Sequence, residues 1–154
     1  MAYEQIKLQN QICFRLYTAS RLITQAYEPF LQSLGITYTQ YLVLMVLWEN
    51  DEQPVNNIGK RLHLGVNTTS PLIKRMEKLG LLSRRDSVTD KRQQIVFLTP
   101  KGKELEHKAA NIPGCMANDL RACNIDIARL TEMAPILDDL IFNLTVKEEK
   151  SAGE

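Results

Sequence analysis

No stretch of this chain approaches the run of about 18 apolar residues that a membrane helix needs. Its first ten residues also lack the basic-then-apolar layout of a secretory signal. A cytoplasmic protein without membrane attachment is therefore expected. Histidine is scarce, with only His63 and His107, far apart, and none of the three cysteines (Cys13, Cys115 and Cys123) belongs to a CxxC pair. That poverty argues against a zinc cluster and against a disulfide framework, so neither a metal nor a cofactor is expected. Internal repeats and low-complexity segments are missing as well.

What is there is a 154-residue chain with 44% apolar and 24% charged residues, the proportions of a globular domain with a real core. The net charge of +1 hides an asymmetry. Residues 54–103 carry eleven Lys/Arg against three Asp/Glu (Glu77, Asp86 and Asp90), a balance of +8, whereas the remainder carries eight against fifteen, or −7. A basic block inside a neutral chain points to a polyanion, most often nucleic acid, although a solvated lysine-rich face has the same composition.

Helical spacing runs from about Tyr3 to Leu34, through Ile12, Leu16, Ala19, Ile23, Ala26 and Phe30, with Pro29 placed to bend or divide the helix and Gly35 to stop it. A second helix, Tyr38 to Trp48, is apolar on nearly all sides and belongs at the centre of the core. After a loop, "NDEQP", the run "VNNIGKRLHL" predicts a short helix capped by Asn56, with Ile58 and Leu62 inward. A turn at Gly65 leads to "NTTSPLIKRMEKLG", capped by Asn67 or Thr68, with Pro71 in the first turn and an apolar stripe of Leu72, Ile73, Met76 and Leu79. Two β-like runs, Leu81–Arg85 and Gln94–Leu98, flank a polar turn and read as a hairpin. Thr99-Pro100 begins another helix, which breaks at Pro113-Gly114. A last amphipathic helix carries Leu130, Met133, Leu137, Leu140, Ile141 and Leu144, and the tail "KEEKSAGE" is expected to fray. The fold class is thus mainly α with a small β-hairpin wing.

Two short helices, a tight turn and then a hairpin with a basic tip follow the order of a winged helix-turn-helix. Thr68, Thr69 and Ser70 would put small hydroxyl groups at the N-terminal end of the second helix, where they approach bases and phosphates closely. Lys74 and Arg75 lie further along, within reach of phosphates or guanine edges. Arg92 at the hairpin tip suits a minor groove, with Asp90 two residues earlier to hold its guanidinium. Each motif alone reads better as a capped helix or a surface ribbon. Their order, together with the +8 confined to the same segment, favours double-stranded DNA.

The stretch "SPLIKRMEKLGLLSRRDSVTDKRQQIVFLTPKG" resembles the MarR family of dimeric winged-helix repressors, most tellingly in Asp90-Lys91-Arg92 and "PLIKRME". "NQICFRLYTASRLITQAYEPFLQSLGITYTQYLVLMVLWE" narrows the resemblance to the organic hydroperoxide resistance regulator (OhrR) branch, so that about residues 8–105 are covered. Gly65-Val66-Asn67 departs from the more polar lead-in associated with that branch. The resemblance implies a single chain, 1–154, with a winged DNA-binding lobe over 38–104 and dimerisation helices at 1–37 and 105–147. It also implies a homodimer on a pseudo-palindromic operator, its two recognition helices about 34 Å apart.

Cys13 is then the residue to weigh. A lone apolar-flanked cysteine is ordinarily a small core residue. Against that, Cys13 lies near a predicted helix start, where free N–H groups favour a thiolate, and Tyr17, Tyr27 and Tyr38 offer hydroxyl donors. Tyr27 lies fourteen residues on, about 21 Å along a straight helix, so a direct contact requires the other subunit. In the resembled branch the tyrosines matching Tyr27 and Tyr38 reach the sensing cysteine across the dimer. The branch also implies a resolving thiol in the C-terminal part, which Cys115 matches better than Cys123. The expected function is a repressor released when organic hydroperoxide oxidises Cys13, and not an enzyme. Two rivals are a repressor that senses a small ligand while Cys13 merely packs, and a thiol peroxidase that uses Cys13 catalytically.

Overall fold

The computed structural model describes residues 3–152 and divides into two compact units, Met1–Asn111 and Ile112–Glu154. No described helix is long and apolar enough to cross a membrane.

In the first unit the chain does not enter a helix at Tyr3. Glu4–Ile6 and Leu8–Asn10 are isolated 3-10 turns separated by extended Lys7, and the helix α1 (Ile12–Ala26) begins only after extended Gln11. The helical spacing of the first apolar residues is real, but their amides close i→i+3 bonds, such as Ile6 N–H to Tyr3 C=O at 3.2 Å. Pro29 does divide the following helix. It sits in the first turn of α2 (Glu28–Gln32), where its missing N–H leaves no helical bond unmade.

The helix α3 (Tyr38–Glu49) opens with a capping box: the Gln40 N–H donates to Thr37 Oγ1 at 3.4 Å, and the Thr37 N–H donates to Gln40 Oε1 at 2.9 Å. Such a cap stabilises a helix by about 1 kcal/mol. Tyr41, Val43, Leu44, Val46 and Leu47 are all buried, so most of this run lies inside the core as expected, with Met45 on the face left exposed.

Gln53–Pro54, expected as loop, forms a two-residue strand, β1, paired antiparallel to β3 (Gln94–Leu98), which also pairs with β2 (Leu82–Asp86). Two residues are too few to show alternation, and proline's missing N–H suits an edge strand. This strand displaces the predicted cap of α4 (Val55–Arg61): Pro54 precedes the helix and Asn56 lies in its first turn. Similarly α5 (Val66–Lys78) starts earlier than predicted. Gly65 is its N-cap, so Asn67 and Thr68 are inside the first turn and Pro71 is interior to the helix. Leu72, Ile73 and Met76 are buried as predicted, but Leu79 falls beyond the last helical residue and is 41% exposed. Gly80 then takes φ +70°, a left-handed value that glycine adopts without Cβ strain, and ends the helix. Thr99 caps α6 (Pro100–Ala109), again in cap-then-proline order.

The second unit consists of α7 (Ile112–Ala122), α8 (Ile127–Thr131) and α9 (Ala134–Ala152). The break predicted at Pro113-Gly114 falls just before Ile112, and both residues belong to the first turn of α7, where proline is tolerated. Asp126 caps α8, accepting from the N–H groups of Ala128 and Arg129. The tail expected to fray is helical through Ala152, in keeping with its Lys, Glu and Ala content, and Gly153 and Glu154 lie outside the described residues.

Candidate nucleic-acid interface and cysteine site

α4 and α5 pack at their shared turn through close contact. A Cβ added to Gly59 would stand 2.9 Å from Thr69 Oγ1 and 3.0 Å from Leu64 C=O. Thr69 itself is only 1% exposed, and its hydroxyl donates to Gly65 C=O at 3.0 Å. Thr69 is therefore a fastening inside the helix pair, which corrects its expected place on the reading surface. A hydroxyl that turns back to the i−4 carbonyl cannot also face a groove. Thr68, Ser70, Lys74 and Arg75 are exposed on α5.

The hairpin tip is organised by its own side chains. Ser87 Oγ accepts from the N–H groups of Thr89 and Asp90, both at 3.3 Å, and Asp90 Oδ1 accepts the Arg92 backbone N–H at 2.9 Å. Asp90 thus holds the backbone of Arg92, where sequence reasoning had it holding the guanidinium; an acceptor two residues back satisfies the nearest N–H first. Arg92 and Ser70 line one cleft of about 190 Å³ together with Asn56, Ile73, Arg84 and Gln94. The recognition helix and the wing therefore present their polar groups to a common hollow. Arg84 is already engaged, donating to Glu77 Oε2 from Nη2 at 2.7 Å and Nε at 3.1 Å, which ties β2 to α5. Asn56, expected only as a helix cap, and Arg84 were not assigned to this surface from sequence. Their only signal is their place beside α5 and the wing, which sheet pairing creates.

Cys13 is the second residue of α1 and is exposed. No side chain caps that helix end, and Arg15 bonds backwards to Gln11 C=O at 3.2 Å and to Gln9 C=O. The N–H groups of the first turn, on which Cys13 lies, thus have no side-chain cap. Tyr17, one turn on, is exposed as well. Tyr27 terminates α1, so the unbroken helix holds it about 21 Å from Cys13 of the same chain. Tyr27 and Tyr38, by contrast, meet with ring centroids 5.0 Å apart, and Tyr41 joins them at 6.2 and 6.4 Å. Burial pushes the phenols of Tyr38 and Tyr41 above their ordinary range, with Tyr27 nearby adding to both and Tyr38 to Tyr41. Those hydroxyls consequently stay protonated and able to donate. Tyr41 was absent from the sequence-based set; its i+3 spacing from Tyr38 was the available signal. Cys115 lies in the first turn of α7 and Cys123 just past its end; both are exposed, and all three thiols are free.

A helix pair with its second helix exposed, followed by a hairpin wing, is the architecture of a winged-helix transcriptional regulator. A family model described as the transcriptional regulator SarA/Rot matches residues 25–109. The organic hydroperoxide resistance transcriptional regulator of Bacillus subtilis (strain 168) is 41% identical over 128 residues, covering 83% of this chain and 87% of the relative. Among solved structures, reduced AbfR bound to DNA superposes with a TM-score of 0.74 at 37% identity, covering 92% of this chain and 97% of that one. Disulfide-formed AbfR superposes with a TM-score of 0.61 at 40% identity, covering 90% and 95%; AbfR is a protein of Staphylococcus epidermidis. The chain belongs to the MarR-type winged-helix transcriptional regulators, on the branch of the organic hydroperoxide resistance regulator.

Proposed function

We propose that this chain is a homodimeric repressor that binds a pseudo-palindromic DNA operator while Cys13 is reduced and leaves it when organic hydroperoxide oxidises that residue. The observation that carries the reading is the exposed thiol of Cys13 in the uncapped first turn of α1, in a chain 41% identical to a regulator named for organic hydroperoxide resistance. Support for DNA as the partner comes from the +8 segment, from the exposed Thr68, Ser70, Lys74 and Arg75, and from Arg92 across the shared cleft. Support for the dimer comes from the apolar residues exposed along residues 1–37 and 105–147, which we assign as dimerisation helices around a DNA-binding lobe, 38–104.

In the proposed chemistry the Cys13 thiolate attacks one peroxide oxygen. The O–O bond breaks, the alcohol departs with a proton, and sulfur is oxidised to a sulfenic acid. The thiol of Cys115 from the partner, with Cys123 as the alternative, then attacks that sulfur, water leaves, and an intersubunit disulfide forms. Sulfurs must close to about 2 Å for this bond; where they start further apart, the helices bearing them shift and the two reading heads lose their spacing. Tyr17, Tyr27 and Tyr38 are assigned to support the reduced thiolate, Tyr27 and Tyr38 acting across the dimer because α1 separates Tyr27 from Cys13 of its own chain.

The test is a gel shift on a duplex selected from a random library by the reduced protein. Cumene hydroperoxide should release the wild type and leave Cys13→Ser bound, while Cys115→Ser or Cys123→Ser identifies the resolving residue on non-reducing gels. Release of Cys13→Ser to the wild-type extent would sink the redox reading in favour of a small-ligand sensor.

A further inference from the structure

Tyr27 and Tyr38 do not end in a pair. Tyr38, Tyr41 and Trp48 share one face of α3, and the rings continue from Tyr41 to Trp48 edge-on at 6.1 Å between centroids. At the far end the Trp48 Nε1–H donates to the Gly102 carbonyl at 3.0 Å, leaving α3 for the first turn of α6. That turn holds the end of the recognition helix by four separate means. Thr99 Oγ1 donates to Gly80 C=O at 2.6 Å, Lys101 Nζ donates to Leu79 C=O at 2.8 Å, and the Thr99 N–H donates to Leu81 C=O at 3.2 Å. Gly102 itself presses on Leu81 so closely that an added Cβ would stand 2.0 Å from its carbonyl oxygen. The carbonyls of Leu79, Gly80 and Leu81, the link that leads from α5 into β2, are thus all bonded to one short segment.

We infer that Trp48 is a positioning residue for the recognition helix, the terminal rung of an aromatic ladder that carries the state of Tyr27 and Tyr38 into the first turn of α6 and thence to Leu79–Leu81. The inference rests on the redox reading above, because it takes the hydrogen bonds of these tyrosines to the partner's Cys13 as its input. The four rings meet at tilted or edge-on angles, with Tyr41 buried and Tyr27, Tyr38 and Trp48 half-buried, so a shift of one ring presses on the edge of the next and passes along the row. Loss of the tyrosine–thiolate contacts on oxidation releases one end of the ladder. The indole N–H then moves relative to Gly102, and α5 follows because Leu79, Gly80 and Leu81, whose N–H groups bond its last carbonyls, are themselves fastened to that turn.

Trp48 is the single tryptophan of the chain, so the wild type reports on its own ladder. On addition of cumene hydroperoxide, tryptophan emission should shift at the rate at which the Cys13 thiol disappears, and should stay constant in Cys13→Ser. Trp48→Phe keeps a ring and removes the donor. It should lose its Cys13 thiol at the wild-type rate, yet its ratio of oxidised to reduced duplex Kd should be at least about tenfold smaller than that of the wild type. A merely structural tryptophan would not separate oxidation from release in this way. Constant emission while wild-type Cys13 oxidises and DNA departs overturns the inference, as does Trp48→Phe released like wild type. Should Trp48→Phe bind no DNA when reduced, the wild-type emission decides alone. A wild type that hydroperoxide does not release refutes the redox reading itself, and the ladder with it.

Discussion

α1 and α3 are both rich in apolar side chains, and they meet opposite fates in the same chain. The twelve residues of α3 include six that are buried; the fifteen of α1 include none. Ile12, Phe14, Tyr17 and Leu22 stand in solvent, as do Ile136, Leu140, Ile141, Phe142 and Leu144 of α9. Apolar spacing therefore says that a face seeks cover, but not whether its own chain provides it. In α3 the cover is the winged lobe. For α1 and α9 we assign it to the second copy of the proposed homodimer.

The sharpest way to break this contrast is to place a carboxylate in each kind of face. Val43→Glu, at a fully buried α3 position, should lower stability by more than about 4 kcal/mol and leave little folded protein in circular dichroism. Leu140→Glu, at a position 42% exposed within the chain, should leave the helical signal in place while shifting sedimentation velocity from dimer to monomer. A Leu140→Glu protein that stays fully dimeric removes α9 from the interface.

A step smaller is Gly102→Ala. The added methyl meets Leu81 C=O, and overpacking of this kind costs about 3 kcal/mol, readable as a lowered urea midpoint. Smaller again is the contrast between adjacent threonines. Thr69→Val removes a buried hydroxyl bonded to Gly65 C=O and should cost about 1 kcal/mol of stability. Thr68→Val, on the exposed side, should leave stability within about 0.5 kcal/mol and weaken duplex binding instead. If the two exchange these phenotypes, the assignment of the reading face is wrong.

The last contrast concerns pH. Tyr38 and Tyr41 have phenol pKa values raised in the folded protein, so folding favours their protonated forms. That contribution is complete below the ordinary tyrosine value of about 10 and is lost as pH climbs through the higher folded values. Stability should therefore fall more steeply above that pH in wild type than in a Tyr38→Phe/Tyr41→Phe protein; parallel curves would contradict the burial of these phenols.

The order of elements from α3 to α6 was legible because each carries a local signal: an apolar run, a glycine stop, alternation in the hairpin, and Thr99-Pro100. What escaped is what only three-dimensional pairing supplies. Gln53–Pro54 become a strand because β3 lies beside them. Thr69 looks like its neighbours Thr68 and Ser70 until the close approach of Gly59 takes it inside. Helix starts were misplaced where extended backbone, at Gln11, Pro54 and Gly65, replaces a side-chain cap and so leaves no residue type to read. Of the candidate site, Cys13 near a helix start and the individual tyrosines Tyr17, Tyr27 and Tyr38 were named from sequence, while the contact between Tyr27 and Tyr38, and the addition of Tyr41 and Trp48, come only from the fold.

The account stands most directly on whether the oxidation of Cys13 and the loss of DNA are one event. Aliquots of the protein–duplex complex titrated with cumene hydroperoxide can be scored for both at once, by fluorescence anisotropy of the duplex and by mass spectrometry of the Cys13 peptide. We predict that the fraction of duplex released follows the fraction of Cys13 oxidised at every point, and that Cys13→Ser releases none. Duplex that remains bound after Cys13 has been fully converted to a disulfide, or that departs while Cys13 is still a thiol, contradicts the account.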